Sequence, residues 1–333
     1  MVVFAKVFLV SLSMLSLFYF TGSNTPVKKN NATSESEDKT HWQNNLIRLK
    51  HLNDSTEGSY VENGSLFIER WDTLAQPKFW KTVMLMSADS CIVNVARNRH
   101  VLKKMSIDEW DSQSDTEKDD LKAALREEFG YPEDEKIYMT TGKADFYNFE
   151  AVLPSISKGV TVFKEEDVDP WYAQAILLIE SPGKLAKSNV GAYGPFQLMP
   201  GVARTHGLRV DKYVDERKDF VRSAQGASSL IAKTCLPHAR RILEEQGLIY
   251  NETDLWFRLF VLHVYHAGAY NVESVIKVIK PTEGSGQLIQ DMWQTSAAKF
   301  KNASQNYSQL ALAGLMILEE LLMENCDYVV ISE

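Results

Sequence analysis

Cysteine is scarce in this chain: 333 residues hold three, Cys91, Cys235 and Cys326. An odd set cannot all pair within one chain and its wide separation matches no zinc-ligand spacing, so no metal is expected; an exported protein could join two of the three, and a buried, inert thiol is the reading favoured for each. A positive charge excess is missing too. Against 36 Lys and Arg stand 44 Asp and Glu, a formal net charge of -8. That argues against nucleic acid as the main partner, because phosphate binding needs a clustered basic surface. The apolar stretch Val7 to Phe20 is too short for an ordinary membrane span. A phosphate loop is lacking as well: Thr140-Thr141-Gly142-Lys143 has Ile137 where the partner glycine would stand. Finally, Ser181 to Val210 contains no Asp or Glu, and this gap bears on the chemistry below.

What remains is a globular composition, 44% hydrophobic, in a length that suggests two domains. Residues 1–24 read as an export signal: Lys6, the apolar stretch, then Thr21-Gly22-Ser23-Asn24, with no clear small-x-small cleavage site, so retention as an N-terminal anchor stays open. Residues 25–40, rich in Asn, Ser, Lys and Glu, read as a solvated linker. Residues 41–165 carry helical signals and no catalytic motif. Ser106 with Glu109 and Ser114 with Glu117 have capping-box spacing, and the second helix is expected to end near Gly130. Val83 to Val101 is expected to be a core helix with a solvated end at Arg97, Arg99 and His100. Phe146, Tyr147 and Phe149 are expected to pack rather than bind.

The organising stretch is Trp171 to Pro200. Tyr172, Ile176 and Glu180 share a helical face, which puts one carboxylate at the C-terminal end of an apolar helix. Burial disfavours the charged form, and a carboxyl still protonated near neutral pH can give its proton to a leaving oxygen. Such chemistry belongs to glycosidases. A plain structural Glu, neutralised by Lys184 or a loop N–H, is the other reading. After Glu180 comes Gly191-Ala192-Tyr193-Gly194-Pro195-Phe196-Gln197-Leu198-Met199-Pro200, whose glycines allow close backbone approach and whose Gln197 amide can both donate and accept. Downstream, Asp215, Glu216 and Arg217 read as surface charges and caps.

Glu180-Ser181, the Gly-x-x-Gln-Leu-Met-Pro segment ending at Pro200, Tyr265-His266-Ala267-Gly268 with Val272, and the late Tyr307 come in this order. The ordered run resembles the signature of the soluble lytic transglycosylases, which cleave bacterial peptidoglycan, and it covers roughly Asp167 to the C-terminus. The resemblance implies a mainly α fold: a lysozyme-like catalytic domain over 166–333 preceded by a smaller helical domain over 41–165. It also implies export to a bacterial periplasm or envelope, no cofactor, Glu180 as catalytic acid and base, and Ser181, Tyr193, Gln197, Tyr265, His266 and Tyr307 as substrate-binding residues. The family usually carries Asn where His266 stands. Peptidoglycan strands are the partner so implied, with an envelope protein as a further partner for 41–165 and the membrane only if the N-terminal segment is retained.

Hydrolysis needs a second carboxylate, as nucleophile or as base for water. Asp211, Asp215, Asp219 and Glu273 are the distant acids that folding has to bring in for that route. A lone Glu180 suits transglycosylation, in which the muramic acid C6 hydroxyl replaces water. Lys184, Lys187, Arg204 and Arg209 form a basic stretch suited to anionic peptide stems, or else ordinary solvated cations. A goose-type-lysozyme-like hydrolase and a non-catalytic peptidoglycan-binding scaffold are the alternatives.

Overall fold

A run of nine residues without a charge, Trp171 to Ile179, can only be stable as a helix if it is covered on every side, and the fold is built to do that. The computed structural model describes residues 45–180 and 191–328. The expected export signal and linker, and Ser181, Lys184 and Lys187, lie outside the described residues.

In chain order the elements are β1 (Leu46–His51), β2 (Glu57–Val61), α1 (Gly64–Ile68), α2 (Ala75–Leu85), β3 (Ser90–Val95), β4 (Val101–Ser106), α3 (Ile107–Asp111), α4 (Asp115–Glu128), β5 (Ile137–Thr141), α5 (Phe149–Glu165) and α6 (Trp171–Glu180). There follow α7 (Pro200–Thr205), α8 (Phe220–Leu230), α9 (Leu236–Glu245), α10 (Leu255–Ala267), α11 (Ala269–Ile279), α12 (Gly286–Gln294), α13 (Asn302–Asn325) and β6 (Cys326–Tyr328). The described residues all fall in one compact unit, and among them no helix is long and apolar enough to cross a membrane.

Helix α6 is the axis of the main core. Trp171 to Ile179 are all buried, and α5, α10 and α13 pack around them. Its one polar interior residue, Gln174, is fully buried and satisfied by the edge of β2. The Val61 N–H donates to its Oε1 at 3.0 Å and its Nε2 donates back to the Val61 carbonyl at 2.9 Å. A buried amide costs little when both ends are paired. The same core takes side chains from Leu49 to Leu322, on both sides of residue 165.

The half after residue 165 is largely helical, as expected. The preceding half is not purely so, since β1 and β2 join β6 in one antiparallel sheet, and β3 lies between β4 and β5 in another. The expected helix over Val83 to Val101 is therefore corrected. Its sequence spans the end of α2, strand β3 and the turn into β4. In β3, Cys91 to Val95 are all buried, and a short strand covered on both faces shows burial without alternation, here with Asn94 as its one polar member. β-branched Ile92, Val93 and Val95 favour the strand. Arg99, expected in solvent, is 5% exposed. Ser114 and Glu117 form the full reciprocal capping box, and α4 closes before Gly130 at φ 68°. Ser106 caps α3 by accepting from the Glu109 N–H.

Candidate active site

Four elements meet at the C-terminal end of α6. Helix α6 brings Glu180, the segment 191–199 brings Gln197, α10 ends at Tyr265 and His266, and α13 crosses with Tyr307. The Tyr307 hydroxyl donates to Glu180 Oε1 at 2.8 Å. Glu180 keeps part of its surface exposed, while desolvation of its carboxyl pushes the pKa up to about 7, against a smaller lowering by the Tyr307 hydrogen bond. A carboxyl so placed is about half protonated at neutral pH, which suits proton donation followed by proton uptake. Tyr307 is 2% exposed, and burial and the nearby Glu180 charge raise its own pKa well above the ordinary value. Its hydroxyl therefore stays a donor.

The loop before α7 is a tight structure. Tyr193 and Leu198 pair as a short antiparallel bridge, each N–H donating to the other's carbonyl at 3.2 and 3.1 Å. Gly194 sits at φ 84°, and a Cβ there would lie 1.9 Å from the Arg217 carbonyl oxygen, so glycine is required. Gln197 itself has φ 46°, and its Nε2 donates to the Gly194 carbonyl at 3.0 Å. The Tyr265 hydroxyl donates to the Phe196 carbonyl at 2.6 Å, which ties this loop to α10. His266 is exposed, with its ring stacked on Tyr307 at 4.3 Å between centroids and 22° between planes. Desolvation lowers the His266 pKa, so the imidazole is neutral at pH 7.

Sequence reasoning missed two contributors. The first is the pair of Asp215 and Arg217, which is no surface feature, since the Arg217 side chain is 4% exposed. Its Nη1 donates to the Gly191 and Leu198 carbonyls, both at 2.9 Å, while Nε and Nη2 make a two-point contact with Asp215 at 2.8 Å each. It is the clamp of the Gln197 loop, and its ring neighbour at 5.7 Å is Tyr193. The second is Tyr147. It packs as expected, stacked on Phe149 at 5.5 Å, but the antiparallel pairing of α5 with α6 puts it at the Glu180 end. Its pKa is raised by burial and then by the Glu180 charge. An aromatic triplet separated from Glu180 by over thirty residues gave no sequence signal of that proximity.

The distant acids are engaged elsewhere. Asp211 accepts from Arg209 and from the Tyr213 and Val214 N–H groups, Asp215 holds Arg217, Asp219 caps α8, and Glu273 pairs with Arg241 and Lys277. His263, three residues before His266, is fully buried and its Nε2 meets the Ser308 hydroxyl at 2.8 Å. That hydroxyl accepts from Trp293 Nε1 at 2.7 Å, so it gives its own proton to His263, and burial pushes the His263 pKa down to about 3. Two cavities, of about 700 and 810 Å³, are lined by other residues, among them Met86, Cys91 and Met105 in one and Tyr138, Trp293 and Asn302 in the other.

Residues 163–283 match the family model for the transglycosylase SLT domain. This stretch, a little over a third of the chain, is similar to that domain. Lytic transglycosylase-type cleavage of peptidoglycan is the activity of that family, and Glu180, Gln197, Tyr265 and His266 lie inside the match, whereas Tyr147 and Tyr307 lie outside it. A search of curated proteins returned no match.

Proposed function

We propose that this protein is an exported peptidoglycan lytic transglycosylase with Glu180 as its single acid and base. The observation that carries the reading is a carboxyl with its pKa pushed up to about 7 by burial, held by a tyrosine and with no acidic group contributing to the shift. Residues 181–190 add no Asp or Glu to the site. We assign the catalytic domain to 166–333 and a supporting role to 41–165.

In the first step the Glu180 carboxyl gives its proton to the oxygen between N-acetylmuramic acid and N-acetylglucosamine. The bond from the muramic anomeric carbon to that oxygen breaks, and the acetamido oxygen of the same sugar takes up the developing positive charge. N-acetylglucosamine leaves with a free 4-hydroxyl. In the second step the Glu180 carboxylate removes the proton of the muramic C6 hydroxyl, whose oxygen bonds the anomeric carbon and expels the acetamido oxygen. A 1,6-anhydro ring results, the proton is back on Glu180, and no water is consumed.

Tyr307 holds the carboxyl between the two steps. Gln197, Tyr193, His266 and, by the family resemblance, Ser181 contact the sugar. Tyr265 acts through the loop it anchors. His266 offers a neutral imidazole edge where the family usually has an amide, still able to donate or accept one hydrogen bond.

Mass spectrometry of purified peptidoglycan after incubation tests this directly. Anhydromuropeptides are the expected products. Reducing ends with added water would overturn the transglycosylase in favour of the hydrolase, and intact glycan with retained binding would leave the scaffold.

The pH dependence has a defined sign. Glu180 must enter the first step protonated, so kcat/KM is expected to hold on the acid side and fall as pH rises through about 7. Tyr307→Phe removes the hydrogen bond that stabilises the carboxylate, so the falling limb moves to higher pH. A profile flat from pH 6 to 8 would contradict Glu180 as the titrating acid.

A further inference from the structure

Arg99 is the buried charge that neither the core nor the catalytic machinery accounts for. It follows β3 with its backbone at φ 59° and is 5% exposed. Its contacts are neutral. Nη2 donates to Asn302 Oδ1 at 3.0 Å and Asn306 Oδ1 at 2.7 Å, and the guanidinium lies 5.3 to 5.9 Å from the rings of Phe79, Trp80 and Tyr138. Among the described residues no carboxylate pairs with it.

Helix energetics do not explain this placement. Asn302 and Asn306 lie one turn apart at the N-terminal end of α13, where the helix dipole is positive and a cation is disfavoured. The charge is at the wrong end. What the guanidinium supplies is a planar fork that reaches two amides at once, at a helix start whose preceding residue, Lys301, gives no side-chain cap. A second tether comes from the same region, since Trp80 Nε1 donates to Gln309 Oε1 at 3.0 Å. Asn306 and Gln309 flank Tyr307 on the helix. Their grip therefore sets the rotation of the turn that carries the Tyr307 hydroxyl to Glu180.

We propose that Arg99, assisted by Trp80, is a positioning residue for the Tyr307–Glu180 pair, so that the region before the SLT domain completes the active site from behind α13. This rests on the reading of Glu180 as the acid. Among the described residues, the titratable groups coupled to Glu180 are Tyr147 from the segment before α5, Tyr265 from α10 and Tyr307 from α13, with His266 stacked on Tyr307. Of these, Tyr307 is the one whose hydrogen bond lowers the Glu180 pKa, so the titration of Glu180 reports where Tyr307 stands.

The experiment is a ¹³C NMR titration of the Glu180 carboxyl in the full chain, with kcat and KM on peptidoglycan measured beside it. Tyr307→Phe is expected to raise the midpoint. Arg99→Gln, and Arg99→Lys, which keeps the charge but not the fork, are expected to raise it in the same direction. The double variant Arg99→Gln with Tyr307→Phe is expected to go no further than Tyr307→Phe alone. The Arg99 variants should lose roughly tenfold to 100-fold in kcat with KM little changed, as for a misplaced catalytic group. A folded Arg99 variant with the wild-type midpoint overturns the proposal. Should both Arg99 variants fail to fold, Asn306→Ala breaks the contact from the other side and is judged by the same midpoint. Glycan cleavage that survives Glu180→Gln would sink the acid assignment, and the NMR midpoint would still decide the role of Arg99.

Discussion

Glu180→Gln is expected to abolish cleavage, with a loss of roughly 10³-fold or more, because in the proposed mechanism the one side chain serves as acid in one step and base in the next. The substitution is suited to separating chemistry from folding. Glutamine has the same shape and keeps an oxygen that can accept from the Tyr307 hydroxyl, which stands 2.8 Å from Glu180 Oε1. Stability should not fall. A carboxyl whose folded pKa is raised from 4.5 to about 7 costs stability as pH rises from the unfolded toward the folded value, since the folded state then holds the extra proton. A neutral amide escapes that cost, so above pH 7 the variant should be as stable as the parent or more stable by about 1–2 kcal/mol. Thermal melts at pH 5 and pH 8, set beside an assay of anhydromuropeptide release, check both halves. A variant that melts early at pH 8 and has lost activity would mean that Glu180 is holding the fold together. Wild-type turnover would remove it from the mechanism.

The separation of Glu180 from Asp211, Asp215, Asp219 and Glu273 comes from tertiary contacts. Each of the distant acids that a hydrolytic route needs is held by contacts of its own, Asp211 in a turn, Asp215 by Arg217, Asp219 at the start of α8, and Glu273 between Arg241 and Lys277. With these four groups engaged elsewhere, the proposed transglycosylase route draws its nucleophile from the substrate itself. On that proposal the C6 hydroxyl takes the place of an activated water.

The parts of this arrangement that sequence could reveal are those set by local periodicity. An uncharged helix ending in one acid, a second apolar helix closing at Gly268, and the Ser114–Glu117 box all follow from spacing within a few residues. Where tertiary pairing decides, spacing fails. Strand β3 is buried from Cys91 to Val95 because β4 and β5 flank it and helices cover it, and its apolar run Cys91 to Val93 reads equally well as helix. Arg99 and Arg217 are polar by composition and buried by context. Their partners are two amides over two hundred residues away and two loop carbonyls, and nothing within a sequence window marks either contact. Tyr147 is the same case for an aromatic. Its neighbours Phe146 and Phe149 are visible, but its nearness to Glu180 comes from the antiparallel return of α6 along α5.

Arg217→Ala tests whether the Gln197 loop depends on that unseen clamp. The substitution leaves the Gly191 and Leu198 carbonyls without their 2.9 Å donor and strands Asp215, whose side chain is 22% exposed. Breaking a buried pair by removing one partner typically costs roughly 3–5 kcal/mol, which for a chain of this size corresponds to a drop in Tm of roughly 4–7 °C. The loop has a further reason to depend on this residue. Gly194 lies directly under the Arg217 carbonyl, so movement of the 215–217 backbone frees the glycine turn and, with it, the left-handed Gln197. Cleavage should therefore fall together with stability. Arg217→Lys keeps one charge but cannot span Asp215 and two carbonyls with a single ammonium, so it should lie between the parent and Arg217→Ala in both measurements. If Arg217→Ala instead melts with the parent and cleaves at the parental rate, the loop is ordered by the Tyr193–Leu198 bridge and the Tyr265 anchor, and the clamp is dispensable.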